Sequence, residues 1–160
     1  MGLIIKLKMN PKNLYAGFEE EKLKNLEKAV LFHGTSERFI ERILKEGLLP
    51  WNQNMGHNWD SEGDIFGFFT PQIDCVYFGT FEKAACFCFI VNKKRDAKGV
   101  VIEAELDTPK LLPDEDSRTR TWYQSFLSIG SCAHNGIVTP EKIIGVYTAQ
   151  GKEIWQANAA

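Results

Sequence analysis

The chain has 160 residues, 44% of them hydrophobic and 25% charged, with a formal net charge of −2. That length supports one domain, residues 1–160, with its own core, and that balance excludes a disordered polymer. A weakly acidic chain has no overall electrostatic pull towards duplex nucleic acid or an anionic bilayer, and no apolar run approaches the ~20 residues needed to span one.

Residues 1–18 read as an N-terminal arm or strand. The apolar part of Gly2–Lys8 is too short for a signal core, and Lys6 stands where a myristoylation pattern wants Ser or Thr. Residues 19–29 carry Leu23, Leu26 and, just beyond, Val30 at helical spacing among charges, which predicts an amphipathic surface helix. It runs into Ala29-Val30-Leu31-Phe32, a short buried strand that stops at His33-Gly34-Thr35. Ser36 then caps a second helix with Phe39, Ile40, Ile43 and Leu44 on one face, ended by Gly47 and Pro50.

From Trp51 to Asp74 periodicity dissolves into a long aromatic loop (51–74) with Trp51, Trp59, Phe66, Phe68 and Phe69, the mark of a lid or binding loop. His57 lies within it. Val76-Tyr77-Phe78 predicts a second short strand, followed by Gly79-Thr80 and a helix from Phe81 to Val91. After a charged turn at 93–98, Gly99–Asp107 alternates strictly, with Val100, Ile102, Ala104 and Leu106 inward. Val101, Glu103, Glu105 and Asp107 point outward, predicting a half-exposed antiparallel strand with solvated glutamates. Leu111–Asp116 reads as a turn, its acidic run as a solvated turn or a helix start, and Ser117–Ile129 as a helix. Strands over 131–138 and 143–149 flank a Thr139–Lys142 turn. Strands gathered late in the chain predict an α+β fold. Neither a Gly-x-Gly-x-x-Gly turn nor a phosphate-binding Gly-Lys-Ser/Thr loop is present.

Four cysteines, Cys75, Cys86, Cys88 and Cys132, lack zinc-site spacing and read as buried thiols of a cytoplasmic protein; no metal site is expected. Two corners concentrate chemistry. At His33-Gly34 an imidazole and close-lying backbone groups face a shared space, suited to a ribose hydroxyl and a planar amide. At Tyr77-Phe78 and the following helix, Tyr77 and Phe87 offer rings for a flat heteroaromatic group, with small Ala84 and Ala85 allowing close approach. The competing reading of the first corner is a His satisfied by a neighbouring backbone carbonyl, and of the second, ordinary core aromatics.

Taken together, these segments resemble the ADP-ribosyltransferase superfamily, which includes poly-ADP-ribose polymerase catalytic domains and RNA 2′-phosphotransferases. The resemblance rests on FHGTSERFIERILKEGLLP from Phe32, CVYFGTFEKAACFC from Cys75 and GIVTPEKIIGVY from Gly136, and covers about three quarters of the chain. It implies split antiparallel β-sheets with flanking helices and NAD as substrate. His33, Gly34, Thr35, Tyr77, Phe78, Ala84 and Phe87 would bind NAD: His33 at the nicotinamide ribose, Gly34 clasping the carboxamide, Phe87 stacked on the ring. The implied activity is transfer of ADP-ribose to a protein or nucleic-acid acceptor. The strand before the closing hairpin, where the family often has Glu, carries His134 and Asn135, so the catalytic set would be His33, Tyr77, His134 and Asn135. That missing carboxylate leaves open a non-catalytic binding protein of the same fold. The His-Gly-Thr and Asn-Gly motifs also leave open an RNA 2′-phosphotransferase, which would need arginines such as Arg38, Arg42, Arg118 or Arg120 at the pocket. The acceptor and the oligomeric state are not legible.

Overall fold

The computed structural model describes residues 20–50, 74–95 and 97–158. The expectations for the arm at 1–18 and for the aromatic loop, His57 included, lie outside the described residues, apart from its last residue, Asp74.

Among the described residues the fold is α+β: a single seven-stranded antiparallel sheet and four helices. In chain order these are α1 (Glu20–Lys24), β1 (Lys28–Ser36), α2 (Ile40–Glu46), β2 (Cys75–Gly79), α3 (Phe81–Arg95) and β3 (Gly99–Asp107). They continue as β4 (Leu111–Pro113), α4 (Trp122–Ile129), β5 (Ser131–Asn135), β6 (Ile143–Thr148) and β7 (Glu153–Gln156). The strands lie in the order β4-β5-β2-β1-β3-β6-β7.

The long pairing of β1 with β3, from Lys28 opposite Asp107 to Ser36 opposite Gly99, organises the sheet. It explains why the first helix is shorter than its apolar spacing predicts. Lys28 and Ala29 are claimed by the ladder, and tertiary pairing overrides a local helical preference. Leu23 remains fully buried, so α1 still docks through the expected face. Ser36 accepts a hydrogen bond from the Arg38 N–H, capping a 3-10 turn at Glu37–Phe39 that leads into α2. Gly47 ends α2 at φ 86°, a conformation that costs other residues a steric clash. Beyond Pro113 a 3-10 turn at Glu115–Ser117 takes up the start of the expected 117–129 helix, and Thr121 caps α4 instead.

Side-chain alternation divides the sheet into two faces. One packs on the main core: Ala29, Leu31, Val76, Phe78, Val100, Ile102, Ala104, Cys132 and Val146, with α4 contributing Trp122 and Phe126. The other face holds a smaller cluster in which α3 lays Phe81, Ala84 and Cys88 over Phe32 and Val101. Phe81 meets Phe32 edge-on at 5.5 Å between ring centroids. This second layer corrects the expectation that β3 is half exposed. Val101 is fully buried under α3, because a helix crossing from β2 to β3 must cover the face opposite the main core. Glu103 is corrected with it: burial pushes its carboxyl upward from the usual range, and the Tyr147 hydroxyl bonds to it. Glu105 keeps the solvated role, paired with Lys28 at 3.3 Å.

No helix among the described residues is long and apolar enough to cross a membrane. Cys75, Cys88 and Cys132 are buried free thiols as expected, whereas Cys86 is exposed because it sits on the outer side of α3.

Candidate functional site

The site grows from an interruption in the sheet. Two hydrogen bonds at the ends of the β1–β3 ladder set its phase: Thr108 N–H to Glu27 O at 3.0 Å, and Glu37 N–H to Lys98 O at 2.8 Å. Antiparallel ladders alternate, so the odd-numbered residues of β1 bond to β3. The even-numbered ones, Phe32 and Gly34 among them, aim N–H and C=O at β2. On β2, Thr80 N–H to Gly130 O and Gly136 N–H to Asp74 O assign the even residues to β5. Tyr77 and Gly79 therefore aim theirs at β1. A continuous ladder would join Phe32 to Gly79 and then Gly34 to Tyr77. Only the first pair forms. Beyond it the strands part, and Gly34 turns a donor and an acceptor into the gap.

His33 bridges that gap. Its Nδ1 lies 2.7 Å from the Tyr77 carbonyl oxygen, which can only accept, so Nδ1 carries the proton and Nε2 presents a lone pair. Burial pushes the His33 pKa below its usual value against the opposing pull of the carbonyl, which keeps the ring neutral and this tautomer in place. The imidazole thus takes the acceptor that would otherwise have closed the ladder onto Gly34.

Glycine at position 34 is required by packing. A Cβ there would fall inside contact distance of the Ala84 carbonyl and 2.8 Å from the Phe87 Cβ. α3 is held against β1 at this point, with Ala84 buried and Phe87 half-exposed beside the gap. The Thr80 hydroxyl accepts the Lys83 N–H at 3.2 Å and fixes the first turn of α3. Thr35 is buried, and its backbone bonds to the Cys88 thiol.

Tyr77 meets His33 through its main chain, while its phenol emerges on the sheet face opposite Phe78. There the hydroxyl donates to the Glu115 carboxylate, 2.6 and 2.7 Å from its two oxygens. On the other face Phe78 is buried between two imidazoles, with ring centroids 5.7 Å from His33 and 6.4 Å from His134. His134 is only 7% exposed, with Nδ1 3.1 Å from the Gly136 carbonyl, and burial lowers its pKa. It is a core imidazole, placed on the face away from the Tyr77 hydroxyl. Asn135 is exposed and stands opposite Cys75, on the same face as Tyr77. The four residues expected to form a catalytic set therefore divide: the His33 imidazole lies with His134 on the Phe78 face, the Tyr77 phenol and Asn135 lie on the opposite face, and His33 meets Tyr77 only at its backbone carbonyl.

The Glu115 partner of Tyr77 was not expected from the sequence. The acidic run, read as a solvated turn or a helix start, is a helix start: Asp114 caps the 3-10 turn, but it is buried rather than solvated. Its Oδ2 accepts from the Ser131 hydroxyl at 2.7 Å, its Oδ1 accepts from the Asp116 N–H at 3.0 Å, and its N–H donates to the Ser125 Oγ at 3.0 Å. The Ser125 hydroxyl in turn donates to the Ser131 carbonyl at 2.7 Å. This network ties the turn to β5 and α4 and delivers Glu115 to Tyr77. The available signal was Asp114 at a capping position two residues before a backbone N–H; the partner Tyr77 is distant in sequence. Among the arginines considered for phosphate, Arg42 pairs with Glu46 at 2.9 Å on α2. No group of three or more His, Cys, Asp or Glu side chains able to hold a metal occurs among the described residues.

Compared with known proteins, the sequence matches no family model and no curated protein.

Proposed function

We propose that the protein is an ADP-ribosyltransferase-like enzyme that binds NAD⁺ in the gap between β1 and β2 and transfers ADP-ribose to a protein or nucleic-acid acceptor. One observation carries the reading: the ladder stops after Phe32–Gly79 and leaves the Gly34 N–H and C=O facing the gap. A carboxamide is the complementary group, accepting with its oxygen and donating with its nitrogen. The neutral His33, with Nε2 as acceptor, suits a ribose hydroxyl beside it. Phe87, half-exposed and with its Cβ close over Gly34, offers a ring for a pyridinium to stack on.

The chemistry this arrangement favours is rupture of the nicotinamide–ribose bond. Backbone and ring contacts hold the pyridinium, and the ribose passes through an oxocarbenium-like state. Positioning and fixed dipoles supply the rate enhancement. Asn135, exposed and uncharged on β5, favours a second reading in which the same pocket binds NAD⁺ without turnover.

Titration calorimetry with NAD⁺, followed by detection of released nicotinamide, tests both. Binding with release that disappears in His33→Ala supports the transferase. Binding without release supports the second reading. Absence of binding refutes both, and the same titration with a 2′-phosphorylated RNA then tests the phosphotransferase relative.

A further inference from the structure

The end of β5 holds two distant parts of the chain together. The Gly136 N–H donates to the Asp74 carbonyl at 2.9 Å, and Leu48 and Val138 exchange backbone hydrogen bonds of 2.9 and 3.0 Å. Leu48 follows the stop of α2, and Asp74 precedes β2. β2 pairs with β1 at one position and with β5 along its whole length, so β5 is its main support. One side chain sets the turn that makes these bonds. His134 Nδ1 lies 3.1 Å from the Gly136 carbonyl. That oxygen can only accept, so a proton on Nδ1 ties the imidazole to the peptide two residues on. Gly136 has φ 79°, and a Cβ there would meet nothing within 4 Å, so no packed neighbour restrains it on that side. The surroundings of the imidazole disfavour charge. It is buried between Val76 of β2 and Leu111 of β4, with the Phe78 ring 6.4 Å away between centroids. The charged groups that face it are Lys110 on the turn before β4, Lys142 on the turn before β6 and Asp107 at the end of β3. Asp107 is already bonded to Lys142 at 2.8 Å. An imidazolium there would meet two ammonium groups and a carboxylate committed elsewhere, and a buried charge without a free partner is costly.

We infer that His134 is a pH-sensitive latch, which when neutral holds the end of β5 on Asp74 and Leu48 and when protonated lets go of both. The imidazolium reaches water only by swinging out of the core face. That motion breaks its bond to the Gly136 carbonyl and frees the Gly136–Val138 stretch. The open form binds a proton that the closed form excludes, so acid favours opening. The effect extends towards the gap, because Asp74 leads directly into the strand that carries Tyr77. The latch operates without NAD⁺ and is independent of the transferase reading.

Native-state amide exchange followed by NMR tests the latch. The Leu48, Gly136 and Val138 amides are read at intervals from about pH 7 to about pH 5 and corrected for the intrinsic pH dependence of exchange. The Leu31 amide, bonded to β3 in the central ladder, marks global unfolding. The three amides should exchange faster than Leu31 throughout, and their protection should fall by up to about tenfold for each pH unit below 6.5. His134→Gln keeps an N–H donor and does not titrate, so the fall should vanish there, whereas His33→Gln should retain it. Three outcomes overturn the latch: protection that is constant with pH in wild type, protection equal to that of Leu31, or a fall that survives in His134→Gln. Should that variant not fold, the His134 ring titration in the wild-type spectra decides. A midpoint below 6.5 that tracks the fall in protection supports the latch, and one at or above 6.5 overturns it.

Discussion

Replacing Gly34 with alanine probes the floor of the site with a single methyl group. Its Cβ would stand 2.8 Å from the Phe87 Cβ, where ordinary contact begins at 3.4 Å, and still more tightly against the backbone carbonyl of Ala84. Neither neighbour is the flexible end of a side chain, so α3 must move away from β1 by several tenths of an ångström. Overpacking of this kind costs ~2 kcal/mol, which for a chain of this length lowers the thermal midpoint by roughly 6 °C. The shift also carries Phe87 away from the gap, and NAD⁺ affinity should fall at least tenfold. Gly99→Ala is the control, because its Cβ would crowd Cys88 on the same helix, away from the parted strands. Thermal denaturation and calorimetry on both variants should show similar losses of stability and a loss of affinity in Gly34→Ala alone. A Gly34→Ala protein that binds NAD⁺ like wild type, or two variants that lose affinity equally, would refute the assignment of the gap.

His33→Ala removes the donor to the Tyr77 carbonyl; it should destabilise the fold by about 1–3 kcal/mol and abolish nicotinamide release, measured by denaturant melts and product assay. The pH dependence of stability follows from His33 and His134, both held below the ordinary value of 6.5 by burial. Between the lowered folded pKa and 6.5 the unfolded chain binds more protons than the folded one, so stability should fall as pH drops below 6.5. Glu103, raised above 4.5 by burial, acts in the opposite sense, losing stability as pH rises through its own window. Melts from pH 5 to 7 should therefore slope downward towards acid in wild type and flatten in a His33→Gln/His134→Gln variant. A flat wild-type profile contradicts this. Native thiol titration should detect Cys86 alone, since burial shields the others and pushes Cys75 and Cys88 up to about 11. All four should react in denaturant, and a second fast-reacting native thiol would contradict the packing of α3.

Local sequence carried the elements whose causes are local. The Ser36 cap, the Gly47 stop and the end of β2 at Gly79 read correctly, because capping acts within a few residues. β1 does not stop at His33 but runs on to Ser36 against β3, and the alternation of Gly99–Asp107 marked its two faces but not the burial of Val101. Pairing between distant segments did not read locally. Leu111–Pro113 looked like a turn and is a strand, because its ladder with β5 comes from Cys132–His134, which no local pattern encodes. Instead of separate split sheets, one sheet is joined at the single pair Phe32–Gly79; alternation predicts faces, but not where a ladder stops. Of the candidate site, the closeness of the two strands at His33 and Tyr77 was legible, but not that the imidazole and the phenol lie on opposite faces of the sheet. The Tyr77–Glu115 hydrogen bond was illegible, because it depends on a buried Asp114 and on a tyrosine thirty-eight residues earlier in the chain.

The central claim is that the parted β1 and β2 strands receive a carboxamide on Gly34. It is tested most directly by a crystal structure of the protein soaked with nicotinamide. The account predicts that the carboxamide oxygen lies within hydrogen-bond distance of the Gly34 N–H and its nitrogen within reach of the Gly34 carbonyl, with the ring against Phe87. A Gly34 paired instead with Tyr77 in a closed ladder, or nicotinamide seated elsewhere on the molecule, would contradict it.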